Sequence, residues 1–371
     1  VRRISRWGFG SVGRRIPIPS NGRWSNRYNT LGMLDKKQAL TGILLWALVA
    51  VAFATLAGVG DFVERLSGIT PSEFAVMLVA VSIGVIAMGS CLYVIARNLG
   101  LGGSLIETIF LNTSVSLAHN LTPFGQASGV PIGAAILSKR FEGDYEESLA
   151  ALSMKDIVSF APAIVVFIFG GGYLAFYEQS IPDRIRPLVA AFAGFVLLLC
   201  TAALAVYRYP EYMRAIIRRL VAGANRLAGR LPLVPNLSPE EIDSRITNFL
   251  DSIAQVAGNR RTVALASLFA TSSFVAQGCL LWLTLGAVGV EVSVVFAVFT
   301  VQASLLASGL PLPGGSGGVE GVQVVMLIAT AGVSREAVIP AVVLSRGLVF
   351  WTPIIVGSMT LLVLQIQGTF E

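Results

Sequence analysis

Long apolar runs alternate with short polar ones along the chain. Residues 39–58, 74–96, 154–177, 187–207, 262–285 and 337–364 are each long enough to cross a hydrocarbon layer of about 30 Å at about 1.5 Å per helical residue. Two further stretches do not fit that rule. Residues 108–121 and 126–137 would make only about 21 and 18 Å of helix, and Thr122-Pro123-Phe124-Gly125 lies between them. Residues 292–309 and 322–331 are likewise apolar, and LPLPGGSGGVEGVQ at 310–323 separates them. Pro311, Pro313, Gly314, Gly315, Gly317 and Gly318 oppose an ordinary helix there. A break between such apolar flanks is tolerated only when it is buried in protein or lines a wet cavity. The pattern therefore predicts an all-α, polytopic membrane protein with about six full spans and two re-entrant helical hairpins.

Composition agrees with this reading. The 371 residues are 54% hydrophobic and 13% charged, with a mean hydropathy of +0.75. Soluble domains carry roughly 25% charged residues. The net charge of +6 comes mainly from residues 1–37 and 208–261. Such blocks orient a membrane protein, so no nucleic-acid partner is inferred, and both are placed on the cytoplasmic side. Residues 1–37 are read as a disordered basic tail with a cytoplasmic N-terminus. Residues 38–371 are read as a single transmembrane domain with a cytoplasmic helical insertion at 208–261. Ser238-Pro239-Glu240-Glu241 marks the start of one helix of that insertion.

With both basic blocks inside, the first hairpin is reached from inside and the second from outside. Blocks 74–177 and 263–364 then each run span, broken hairpin, span, in opposite orientations. That is the layout of an inverted repeat, whose broken helices meet near the membrane midplane.

The second half-helix of each hairpin would begin inside the membrane, aiming unpaired N–H groups and a positive dipole end at the centre. Such a spot attracts an anion, and a phosphate headgroup is a natural guest. Gly314, Gly315, Ser316, Gly317 and Gly318 let the backbone approach a ligand on one side. Gly125, Gly129 and Gly133, with the polar His119, Asn120, Thr122, Gln126 and Ser128, do so on the other. Glu320 brings a negative charge to the same place, and Arg346 in the last span is its counter-charge. The pair either exchanges partners during transport or is a static structural ion pair. His119 is read as a hydrogen-bonded residue of a polar half-helix, because no other metal-ligating side chain stands at ligand spacing. Lys155 and Asp156 are read as interfacial neighbours. Gln277 and Gln302 are candidates for bonds between helices. Cys91, Cys200 and Cys279 lie in apolar runs and suit small hydrophobes. The glycine-rich turn lacks the Gly-Lys-Ser/Thr of a nucleotide loop. No cofactor is expected.

PLPGGSGGVEG at 311–321, LTPFGQASGVP at 121–131 and the span around Arg346 together resemble the transmembrane family of lysylphosphatidylglycerol synthetase/flippase proteins. The resemblance covers the chain from about residue 39 onward. It implies a stand-alone flippase-like protein in the plasma membrane of a prokaryote. Such a protein moves an anionic-headgroup lipid, or a polyprenyl-linked glycan, between leaflets. It further implies that Asp156 matches an acid the family places at the start of the span after the first hairpin. Where the family often carries an acid in the first hairpin, this chain has Val130, with Gln126 nearby. The aminoacyl-transferase domain of fused relatives finds no room here, so lipid aminoacylation is not expected and the chain is read as no enzyme. The expected partners are the bilayer and a membrane lipid; a homodimer stays open.

Three rival readings remain: an ion-coupled transporter of a small solute, a headgroup-modifying enzyme, and a non-transporting scaffold for a lipid-modifying partner. The first is separated from a lipid carrier by whether the site opens sideways to lipid. The topology itself has a direct check. In a cysteine-free background, Ser128→Cys is expected to react with a polar thiol reagent applied inside, and Ser316→Cys with reagent applied outside. Labelling of Ser128→Cys from outside only, or of Ser316→Cys from inside only, would contradict the inverted arrangement.

Overall fold

The computed structural model describes residues 36–122, 126–177, 186–208, 218–219, 223, 239–309 and 315–369. The regular elements among them are all helical. In chain order the helices are α1 (Lys36–Ala57), α2 (Val59–Ser67), α3 (Pro71–Asn98), α4 (Leu105–Leu121), α5 (Gln126–Phe141) and α6 (Tyr145–Tyr177). After these come α7 (Arg186–Arg208), α8 (Pro239–Gly258), α9 (Arg260–Ala287), α10 (Val294–Ala303), α11 (Gly318–Ala331) and α12 (Arg335–Ile366). A 3₁₀ turn, Ser304–Gly309, extends α10. Nearly all of the basic tail, Gly125, residues 310–314 and half of the 208–261 insertion lie outside the described residues.

Among the described residues, α3, α9 and α12 are long and apolar enough to cross a membrane. The first apolar run ends differently from the straight span expected. At Gly58 the chain bends by 102° into α2. Gly58 adopts φ 87°, a left-handed value that suits glycine. α2 is amphipathic, with Asp61, Glu64 and Arg65 interleaved among apolar positions that include the exposed Val59 and Val63. α6 starts at Tyr145 instead of Met154, so Lys155 lies ten residues inside the helix, where its side chain is buried and not solvated.

α4 and α5 form a tight antiparallel hairpin. His119 touches Gly129, Val115 lies against Gly133, and Gly103 meets Phe141. These pairs run in opposite directions along the chain, so both ends of the hairpin return to one side. Arg140 and Glu107 close that end with an ion pair. In the second hairpin Gln323 donates to Ser304 at 3.1 Å, joining α11 to the turn after α10.

One number relates the two halves. Ser273 donates to the Gly84 carbonyl at 2.9 Å across the α3–α9 contact, a separation of 189 residues. The same shift carries Pro71–Asn98 onto Arg260–Ala287, two helices of 28 residues each. It carries the N-caps Thr70 and Ser104 onto the N-caps Asn259 and Ser293. It carries Gly100, at φ 82°, onto Gly289, at φ 80°. Each of these glycines ends its span with the same turn, in which Leu101 N–H reaches Ala96 and Val290 N–H reaches Leu285. The left-handed position after a helix is where glycine is cheapest. Gly89 packs on Ile109, and its shifted equivalent Gly278 packs on Val298.

The direction of the relation also follows from contacts. Arg65, just before α3, donates to Val288 at the end of α9 at 2.9 Å. Gln255, just before α9, donates to Asn98 at the end of α3 at 2.6 Å. The start of each helix therefore lies beside the end of the other, and α3 and α9 run antiparallel.

These helix contacts predict matched sensitivities. A Cβ at Gly89 or Gly278 would sit 2.6 Å from the Cα of Ile109 or Val298. Gly89→Val and Gly278→Val should each destabilise by about 1–3 kcal/mol through overpacking. Gly60→Ala, which meets nothing within 4 Å, should leave thermal unfolding in detergent unchanged or slightly raised.

Candidate functional site

Both hairpins converge on the middle of α12. From the second, Glu320 sits in the first turn of α11, 2% exposed. Its Oε2 accepts the Gly317 N–H at 2.7 Å, and its Oε1 accepts from Arg346 Nε at 3.3 Å. From the first, Asn120 Nδ2 donates to the Phe350 carbonyl at 3.2 Å. Phe350 is one helical turn beyond Arg346, so the two hairpin ends meet adjacent turns of one helix.

The local sequence explains this geometry. Gly315 and Gly317 hold φ 70° and 84°, left-handed values that side-chain-bearing residues resist. They let the chain turn so that α11 begins at Gly318 with Glu320 three residues after its N-cap. A carboxylate in a first turn meets the helix dipole and its unpaired amides. The site expected to attract a foreign anion is thus already served by a carboxylate of the chain itself. This corrects the expectation of bare amides: at α11 one is capped from within, and Arg346 balances the charge.

Aromatic side chains stand beside the pair. Trp46 of α1 stacks on Phe350 at 5.5 Å and 13°, and Trp351 meets Trp46 edge-on at 5.4 Å. Trp46 also packs on Gly347, and Val49 packs on Gly317. α1 therefore covers the ion pair, while Leu44, Leu48 and Val51 on the same helix are exposed. Among the described residues, α1 thus has one face against the pair and another that is apolar and exposed.

The remaining predicted residues are placed as follows. Thr122 is buried and donates to the Ala118 carbonyl at 2.6 Å, closing α4. Ser316 is buried beside Gly317. Gly125 and Gly314 lie outside the described residues, as do the side chains of Gln126 and Ser128, which open α5. His119 is packed against Gly129, but its buried Nε2 has no hydrogen-bond partner. This differs from the hydrogen-bonded histidine expected, because Gly129 brings α5 backbone and not a polar group against the ring. Gln302 does not bridge helices either; both its amide atoms are buried without a partner. Asp156 is not beside Arg346 in the contacts of this site. It pairs with Lys155, whose ammonium is 3.6 Å away and also donates to Asn112 Oδ1 at 3.3 Å.

Gln323, Ser304 and Trp46 escaped the reading of the sequence. Gln323 stands three residues, just under one turn, after Glu320 on the same helix, and that helical spacing was the available signal. Among the described residues, no group of three or more His, Cys, Asp or Glu side chains is placed to hold a metal ion.

A helical, membrane-embedded domain with a buried ion pair between two broken hairpins defines the class of this protein. The chain belongs to the family described as the lysylphosphatidylglycerol synthase TM region, which matches residues 39–357. It is similar to a UPF0104 membrane protein of Methanothermobacter thermautotrophicus, 26% identical over 333 residues, covering 87% of this chain and 92% of the relative. It is also similar to a UPF0104 membrane protein of Pyrococcus horikoshii, 22% identical over 275 residues, covering 70% of this chain and 76% of the relative.

The ion pair has an energetic signature. Arg346→Met leaves a buried carboxylate unpaired and should cost about 3–5 kcal/mol. Combined with Glu320→Gln, the loss should shrink, giving a coupling energy of about 0.5–3 kcal/mol in a double-mutant cycle of thermal stability. Strictly additive losses would mean that the two charges do not interact.

Proposed function

We propose that this protein carries an anionic-headgroup lipid, or a polyprenyl-linked glycan phosphate, between the leaflets of a prokaryotic plasma membrane. The observation that carries this reading is the buried Glu320–Arg346 pair, set where both hairpins meet α12 and flanked by α1. A lipid needs a sideways path, so that its headgroup enters protein while its chains stay in the bilayer. α1, with one face on the site and an apolar face exposed, supplies a candidate gate. That favours a lipid over a small solute, which would need a closed wall and a wet vestibule.

On this reading the 189-residue shift is an inverted repeat. Its support is the antiparallel pairing of α3 with α9, the reciprocal Arg65–Val288 and Gln255–Asn98 bonds, and the contact between the equivalent residues Gly84 and Ser273. A two-fold axis in the membrane plane passes through that last contact. The loop motifs follow the same shift: LTPFGQASGVP at 121–131 falls on LPLPGGSGGVE at 310–320, with Leu, Gly, Gly and Val in common. Such repeats move by exchanging conformations between halves about a central site. The first hairpin is then reached from the cytoplasm, the second from outside, and the N-terminus is cytoplasmic.

The mechanism is an exchange of partners. At rest Glu320 holds both the Gly317 amide and Arg346. A phosphate arriving at Arg346 takes over the guanidinium, which binds it in a two-pronged fashion. Release follows when Glu320 reclaims it. The protein acts as a transporter and not as an enzyme in this scheme, since no bond of the lipid is made or broken.

Purified protein in liposomes with fluorescent phosphatidylglycerol tests the reading. Leaflet exchange above protein-free vesicles is expected, and Glu320→Gln should slow it by about tenfold or more, the worth of a charge-assisted bond. No exchange with any of several anionic lipids would end the transport reading. Wild-type exchange by Glu320→Gln would remove the carboxylate from the mechanism.

A further inference from the structure

Resting on the reading just given, we infer that Lys155, with Asp156 and Asn112, forms a second phosphate station on the cytoplasmic half of the path. Lys155 is only 4% exposed, although it lies in an apolar helix with no need for a cation. Its ammonium has three donors, and two identified partners meet it: the Asp156 carboxylate at 3.6 Å and the Asn112 amide oxygen at 3.3 Å. An ionisable group buried at this depth marks a pathway more often than a packing need.

The repeat gives the cluster its meaning. The 189-residue shift carries Lys155 and Asp156 onto Leu344 and Ser345, immediately before Arg346. Each half of the molecule therefore plants one cation at the same stretch of its last helix, α6 or α12. Each cation has its own carboxylate. In the second half the hairpin supplies it, as Glu320. In the first half the shifted position of Glu320 is Pro131, and the acid stands on the span itself, as Asp156.

The two pairs lie at different depths. Asn112 precedes Thr113, whose carbonyl is the atom a Cβ at Gly357 would meet. Gly357 is eleven residues beyond Arg346, or about 16 Å along α12. That is about half of a 30 Å hydrocarbon layer. A headgroup passing from one cation to the other never crosses the whole layer without a counter-charge. His119, buried with a bare Nε2, lies on the same α4 helix as Asn112, toward the hairpin tip.

The test uses the full chain. Lys155→Met combined with Asp156→Asn removes both charges and keeps the volume. Native mass spectrometry then counts phosphatidylglycerol retained against phosphatidylcholine, with inorganic phosphate as the free-anion arm, and liposomes read the exchange rate. The neutral pair should fold, retain one fewer phosphatidylglycerol, and exchange it about tenfold more slowly or worse, while Lys155→Arg keeps both. If the double variant does not fold, Asn112→Asp serves, since it gives the Lys155 ammonium a second carboxylate and should repel the phosphate. Wild-type retention and rate in whichever variant folds would overturn the station. Inorganic phosphate displacing no bound lipid supports a lipid-borne phosphate; its binding in place of phosphatidylglycerol overturns the lipid assignment. If the wild-type protein exchanges no lipid, the proposed function fails, which is a different result.

Discussion

A helix that begins inside an apolar layer must do something with its first amides. Water is absent there, and each unmet N–H costs several kcal/mol. At α11 the solution is a carboxylate from the same turn. Glu320 reaches back to the Gly317 N–H, and that places a full negative charge where none could stand alone. Arg346 is the consequence: the cation must come from a neighbouring span, so α12 is held against the hairpin by charge as well as by packing. The glycines before Gly318 serve this arrangement, because only their left-handed backbone lets Glu320 close on its own helix start.

The remainder of the fold repeats this economy in two halves. Equal span lengths, matching N-caps and matching left-handed glycines recur at a constant spacing. Close helix contacts are made where one side chain is reduced to hydrogen, as at Gly89 and Gly278. Without a hydrophobic force between helices in lipid, such close approach is what holds them together. The amphipathic helices α2 and α8 then tie each half to the far end of the other. On the proposed inverted-repeat reading, such a frame gives two equivalent places for charge, filled by Lys155 with Asp156 in one half and by Arg346 with Glu320 in the other.

That difference is what the proposed function uses. One half keeps its acid on the hairpin and the other on the span, so the two cations are alike in place and unlike in strength of pairing. Arg346 presents a planar fork suited to phosphate, whereas Lys155 is a compact point charge with fewer geometric demands. In the proposed scheme an anion is held by one and passed to the other. The aromatic cluster of Trp46, Phe350 and Trp351 packs beside Arg346, on the α1 side of the pair.

Run length and breaker residues alone were enough to place the class of the protein, the two broken hairpins, Glu320 in a first turn and Arg346 as its partner. These are local properties: a stretch of apolar residues too short to span, or a Pro-Gly break, carries its own meaning. The motifs also carried the family. Other features lay beyond any single stretch. The bend at Gly58 depends on α2 finding the end of α9. The burial of Lys155 depends on α4 offering Asn112 across a helix contact. The bare Nε2 of His119 depends on α5 packing a glycine where a partner was expected. The shift of 189 residues was present in the chain throughout, yet few residues are common to the halves. What the halves share is backbone geometry, which only helix packing in three dimensions brings into register.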